Sequence, residues 1–177
     1  MIEQIAEQQA AGAFAVRPAV PADLKSIGQL QEAAILGLGI SDYDSASAAA
    51  WVRFQLSTRN NVLKDGPFFV AERHGRIIAC GGWRTDLQRR DAVWVRAVFV
   101  SPEFARQGAC SRVMDAVEVS ARIEGRDHFF ARATVGAIPF FKAVGYRDLG
   151  RRIWTIEPGI EIEQALMMKD ATATEGS

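Results

Sequence analysis

The spacing of apolar residues changes period several times along the chain, and each change predicts an element. Phe14-Ala-Val-Arg17 is a short extended run stopped by Pro18 and Pro21. Leu24, Ile27, Leu30, Ala34, Ile35 and Leu38 then recur at helical spacing. Asp23 lies in the first turn of that helix, where a negative charge suits the dipole, and Gly37 and Gly39 end it. Ser45–Ser57, rich in alanine and carrying Trp51, Phe54 and Gln55, reads as a second helix. Beyond the breakers Asn60-Asn61 and Asp65-Gly66-Pro67, Phe68–Glu72 and Arg76–Trp83 read as a hairpin turning at His74-Gly75. The Gly81-Gly82 pair predicts a bulge or a close backbone approach. Ala92–Val100 is almost wholly apolar, as a central strand covered on both faces would be. Residues 107–124 repeat Ala109, Val113, Ala116, Val117 and Ala121 on one helical face, with Arg112, Asp115, Glu118 and Arg122 on the other. His128–Ala133 predicts a strand and Ala137–Val144 a short helix with Pro139 in its first turn. Arg152–Ile156 and Ile160–Met168 predict closing strands about Pro158-Gly159.

The resulting order, β-α-α-β-β-β-α-β-α-β-β, describes one mixed α/β domain over residues 13–169. Residues 1–12 read as a tail or short helix, and 170–177 as a disordered tail. Apolar residues make up 49% of the 177, enough for a full core. With 21 basic and 21 acidic residues, no global field exists to hold nucleic acid or an anionic membrane. No apolar run approaches bilayer length, and the acidic, polar start Met1-Ile-Glu-Gln is wrong for a secretory signal. Two cysteines, Cys80 and Cys110, are too few for a disulfide scaffold, so two reduced thiols in a cytoplasmic protein are expected.

The chemistry concentrates where the central strand breaks at Ser101-Pro102. Arg106, Gln107, Gly108, Ala109, Cys110 and Ser111 fill a turn between that strand and an amphipathic helix. Such a turn aims a row of backbone N–H groups at an anion, and phosphate or pyrophosphate is the expected ligand. The turn lacks the Gly-Lys-Ser/Thr of a Walker loop, the glycines of a dinucleotide fingerprint and the G-x-S-x-G of a nucleophile elbow.

Four stretches in this order resemble the GNAT superfamily of acyl-CoA-dependent N-acyltransferases: Val16–Leu24, Phe69–Gly82, Val98–Ser111 and Thr134–Tyr146. The resemblance implies a mostly antiparallel sheet of six to seven strands, splayed between its central pair, with flanking helices. It also implies an acetyl-CoA co-substrate, no metal, and a small-molecule amine acceptor attacked directly in a ternary complex. Pantetheine would lie along Val98, Phe99 and Val100, and pyrophosphate on the amides of Arg106 to Ser111. Thr134, Ala137, Phe140 and Phe141 would border the thiol end. The chain departs from the family pattern at Ala105 and Cys110 in the loop, and at Phe141, where the family's tyrosine donates a proton to the leaving thiolate. That last departure leaves open a non-catalytic acyl-CoA-binding or regulatory module, and acylation of a protein or peptide amine is a further alternative.

Tyr43, flanked by Asp42 and Asp44, and Glu72 are the candidate catalytic residues; Asp86 is another candidate base. No acid lies within residues 92–100 to act from the central strand. Arg96 either holds an acceptor carboxylate or pairs with a structural acid such as Glu72. Trp83 and Trp94 either wall the cleft or pack the core. Cys110 is a small residue filling a glycine/alanine slot, with an activated nucleophile as the sharper alternative. His74 and His128 are isolated and form no metal pair. A homodimer through a sheet edge or the N-terminal segment is compatible with the pattern.

Overall fold

The computed structural model describes residues 13–39 and 43–171; the expected N-terminal tail, Asp42 and the last six residues lie outside them. Seven strands form one sheet: β1 (Ala15–Pro18), β2 (Phe68–Arg73), β3 (Arg76–Thr85), β4 (Ala92–Val100), β5 (His128–Ala133), β6 (Arg147–Glu157) and β7 (Ile160–Asp170). Their spatial order is β1-β2-β3-β4-β5-β7-β6, antiparallel everywhere except between β4 and β5. Helices α1 (Leu24–Ala34) and α2 (Ser45–Thr58) cover one face. Helix α3 (Ala109–Ile123) packs on the other face, and the short α4 (Ile138–Ala143) extends the core it shares. The expected mixed architecture is observed.

Local chemistry explains most boundaries. His74 and Gly75 both take positive φ, 50° and 72°, which is what the tight β2–β3 hairpin demands of its two central residues. Asp44 caps α2 by accepting from the Ser47 backbone N–H at 2.8 Å. α1 continues as a π turn through Ile35–Gly39. Arg17 holds the sheet's first edge: its Nη1 and Nη2 bond the two Asp23 carboxylate oxygens at 2.7 and 3.0 Å. Its Nε and Nη2 also bond Glu72 Oε2 at 2.9 and 2.7 Å.

Three expectations need correction. β6 begins at Arg147, five residues before the predicted strand, because Arg147–Arg151 is a polar stretch of an edge strand and carries no hydrophobic alternation. β7 runs past Met168 to Asp170, whose carboxylate accepts from Arg147 Nη2 at 3.0 Å. Glu118, assigned to the polar face of α3, is buried. Its Oε2 receives Lys169 Nζ and Arg122 Nη2, both at 2.8 Å.

The sheet's central feature is a mismatch between β3 and β4. Cys80 pairs with Phe99 and Gly82 with Arg96, so two steps along β3 span three along β4. The extra residue is accommodated at Ala97, which has φ 52°. Gly81 and Gly82 make this possible. A Cβ on Gly81 would lie 3.1 Å from Val113 Cγ1 and 3.2 Å from Val98 Cγ2, and one on Gly82 would lie 2.5 Å from the Pro67 carbonyl oxygen. Both readings of the glycine pair, bulge and close approach, therefore hold. Gly82→Ala is expected to lower stability by about 2 kcal/mol, through overpacking against backbone that cannot yield. Thermal or denaturant unfolding measures this directly.

Candidate active site

Pairing between β4 and β5 covers only Ala92–Val95 against His128–Ala131. Beyond the bulge β4 continues to Val100 with no partner on its β5 side, while β5 stays paired with β7 from His128 to Ala133. The parallel pair thus opens into a V at Arg96 and Arg132. Val98 and Val100 pack on the α3 side of the sheet in the same apolar cluster as Cys110, Ala137, Phe140 and Phe141. Phe99 faces the opposite side, against Trp51 of α2 at 6.0 Å between ring centroids.

The turn at the mouth of the V is built as an anion seat. Helix α3 starts at Ala109, two residues later than the periodicity suggests, because Gly108 is its N-cap with φ 85°. The first N–H to find a partner in its helix belongs to Arg112, which donates to the Gly108 carbonyl at 3.1 Å. The amides of Ala109, Cys110 and Ser111 precede it and have no intrahelical acceptor, as at any helix start. Arg106 also has positive φ, 63°, and its side chain and that of Gln107 are exposed. A Cβ on Gly108 would meet no protein atom within 4 Å, so the space over this residue is open. Unpaired amides at a helix start and an unpaired strand edge beside them suit the pyrophosphate and the amide-bearing arm of CoA.

The groups proposed for proton transfer are differently employed. Phe141 is buried, its ring 5.4 Å from Phe140 and 5.3 Å from Tyr146. The Tyr146 hydroxyl is itself buried, and burial and the Glu118 charge push it well above its ordinary pKa. Tyr43 donates to the Glu163 carbonyl at 2.9 Å and stacks edge-on to Trp51, so it ties the approach to α2 onto β7. Glu72 is held by Arg17 on the far side of the sheet from β5, and not by Arg96. Asp86 accepts from the amides of Gln88 and Arg89 at 2.8 Å and from Trp94 Nε1 at 2.6 Å. These bonds lower its pKa and make it a poor base. Asp44 is lowered by its capping bonds. Burial pushes the Cys110 thiol up to about 12, which removes the thiolate a nucleophile needs. Cys80 is raised further and donates weakly to the Ala97 carbonyl at 3.4 Å.

The two tryptophans divide. Trp83 is a core residue, its Nε1 donating to Ser120 Oγ at 2.6 Å. Trp94 is half-buried on the α1–α2 face, 5.5 Å from Phe130. Arg96 points the same way but bonds the Val62 carbonyl at 2.7 Å. Arg84, Arg132 and Trp154 join this face and were missed in the sequence, where each is an ordinary residue in its own strand. Gln31, fully buried on α1 with neither amide atom hydrogen-bonded, was also missed. Among the described residues no group of His, Cys, Asp and Glu could hold a metal ion.

A mixed sheet opened between two parallel strands, with free helix-start amides at the opening, is the arrangement that the resemblance to N-acyltransferases implies. Comparison with known proteins agrees. The model of the acetyltransferase (GNAT) family matches residues 39–146, and the chain belongs to that family. It is 25% identical over 142 residues to an N-acetyltransferase of Methanocaldococcus jannaschii whose name marks it as uncharacterised. That match covers 76% of this chain and 61% of the relative, so the chain spans less than two thirds of the relative's length. Its fold is similar to a GCN5-related N-acetyltransferase of Rhodopseudomonas palustris (TM-score 0.76, 22% identity, 88% of this chain and 94% of that one). It is also similar to YncA of Salmonella typhimurium, solved with acetyl-CoA (TM-score 0.65, 17% identity, 93% and 98%).

Two outcomes follow from the geometry. Gly108→Val should weaken CoA binding about tenfold or more, since a branched side chain disfavours the positive φ that aims the amides. Calorimetric titration with CoA measures it, with unfolding temperature as the control. Both thiols of the native protein should react with iodoacetamide at pH 8 at least about a hundredfold more slowly than free cysteine, and at the ordinary rate once unfolded.

Proposed function

We propose that the protein transfers the acetyl group of acetyl-CoA to the primary amine of a small molecule. The observation that carries this reading is the V between β4 and β5, with the amide-bearing start of α3 at its mouth. The amides of Ala109, Cys110 and Ser111 and the neighbouring Arg106 and Gln107 would bind the pyrophosphate. The free edge at Val98, Phe99 and Val100 would align the pantetheine, and Thr134, Ala137 and Phe140 would close the other side. Acetyl-CoA supplies an activated acyl group on a thiol that leaves readily.

The protein's own part is positioning. Holding an amine and a thioester in one cleft turns a bimolecular reaction into an effectively unimolecular one, worth up to about 7–11 kcal/mol of barrier. No side-chain nucleophile is required, and the raised Cys110 thiol offers none. With Phe141 in place of a hydroxyl-bearing residue, the departing thiolate takes its proton from water or leaves unprotonated.

The same residue favours a second reading, an acyl-CoA-binding module that has lost turnover. The purified protein is expected to bind acetyl-CoA and to release CoA with at least one member of a broad amine panel, at a turnover on the order of 1 s⁻¹. Such turnover sinks the binding-module reading. Binding without turnover, followed by a large gain in Phe141→Tyr, supports it; neither binding nor turnover overturns both.

A further inference from the structure

The α1–α2 face of the sheet carries a concentration of positive charge at the point where β4 and β5 part. The last paired residues are Val95 and Ala131, and the next on each strand are Arg96 and Arg132. Arg84 pairs in register with Trp94, and Trp94 with Phe130, which places Arg84 on this same face. The Arg132 guanidinium lies 3.4 Å from the centre of the Trp154 ring on β6 and 5.3 Å from that of Trp94 on β4. It lies over the Trp154 indole with that of Trp94 nearby, yet remains exposed.

What Arg84 and Arg132 lack is an acid. Among the described residues neither Arg84 nor Arg132 has a salt bridge or a side-chain hydrogen bond. Arg96 spends one nitrogen on the Val62 carbonyl, while its buried Nε has no partner. The buried Trp154 Nε1 has none either. The acids in this quarter are otherwise placed. Asp86 is turned to Trp94 and to two backbone amides. Asp65 contributes favourably to Arg96 alone. Burial chiefly lowers the pKa of Arg96 and Arg132, and the charge of Arg84 adds to this at both; Asp65 opposes it at Arg96, while at Arg132 no acid does. A guanidinium stays charged under such pressure, and the site therefore keeps an unbalanced positive field. Contact with an aromatic face limits the orientations open to a guanidinium and leaves its nitrogens as a fork, the geometry that matches a carboxylate in two parallel bonds.

We infer that the acceptor amine carries a carboxylate, held by Arg132 between Trp94 and Trp154 with Arg84 adding charge. The acceptor class is thus an amino acid or a close analogue. A polyamine or a simple alkylamine would meet the like charges of Arg84 and Arg132 here with no acid to offset them. This inference rests on the transferase reading above, because it names the acceptor of that same cleft.

The test compares matched amines: amino acids, their carboxamides, the corresponding decarboxylated amines, and an aminoalkyl phosphate. Wild-type protein is expected to favour the carboxylated member over its amide and its decarboxylated partner by about 30-fold or more in kcat/KM. Arg132→Ala should cut kcat/KM for the carboxylated amine by a similar factor, chiefly through KM, while changing that for the neutral amine less than about threefold. Arg132→Lys, which keeps charge without the fork, should recover only part. CoA affinity and unfolding temperature should be unchanged in both variants, which establishes that they fold. Equal or better turnover of uncharged amines, or an Arg132→Ala loss that ignores the carboxylate, overturns the inference; so does preference for the phosphate. If no amine turns over, direct titration of the carboxylated amines into CoA-loaded protein decides. Binding to wild type that is lost in Arg132→Ala sustains the anion site while the transferase reading fails, and no binding overturns the site as well.

Discussion

Two adjacent glycines in β3 and one residue of positive φ in β4 govern the geometry of everything near the cleft. A sheet's default is to keep pairing, since each unpaired backbone group buried from water is costly. The extra residue at Ala97 breaks that continuity between β4 and β5 while β3 and β4 stay joined. Opposite it stand Gly82, where Phe68 and the Pro67 carbonyl leave no room for a side chain, and Gly81, where Val113 and Val98 leave little. The free strand edge is the product of this mismatch. So is the placing of Val98 and Val100 on the α3 side with Phe99 on the other.

The opening separates two chemistries onto opposite faces. On the α3 side lie the helix-start amides, and on the α1–α2 side the arginines and indoles. The amides attract an anion through partial charges aligned with a helix axis, an interaction worth about 0.3–1 kcal/mol when exposed and up to about 2 when partly buried. The arginines attract through full charges in an aromatic setting. A chain of zero formal net charge thus carries a local cluster of arginines at Arg84, Arg96 and Arg132. Composition alone had excluded a global field and could say nothing of a local one.

The strand–turn–helix of β4 and α3 was legible because an unbroken apolar run, a Ser-Pro break and a 3.6-residue period follow one another without interruption. The glycine pair was legible for the same kind of reason: two glycines inside a strand pattern have few other uses. The first half of β6 was not, because Arg147–Arg152 obeys the needs of an exposed edge. The arginine and indole face was not legible either. Arg132 falls on a polar beat of β5, and Trp94 and Trp154 belong to other strands, so their convergence exists only once the sheet order is known. Glu72 looked available as a base because its partner Arg17 comes from another strand, and Asp86 because the local turn that brings the Gln88 and Arg89 amides onto its carboxylate leaves no mark in the spacing of apolar residues.

The engaged state of those carboxylates bears on how an amine could become nucleophilic in this cleft. A general base must be within reach of the proton and have a pKa near the working pH. Asp86 and Asp44 are lowered by the bonds they accept, and Glu72 is two strands away from β4 in an ion pair. Proximity to positive charge offers a different route. Like charges within a few ångströms disfavour the protonated form of an ammonium, so the burial and the Arg84 charge that lower Arg96 and Arg132 would act on an amine beside them in the same direction. A bound carboxylate offsets part of that field, and the net effect depends on how much of the cluster it neutralises. With Asp65 acting on Arg96, a carboxylate bound at Arg132 would still leave the charge of Arg84 without an acid of its own. Acceptor recognition and amine deprotonation would then share one physical origin, with no acid–base side chain dedicated to either.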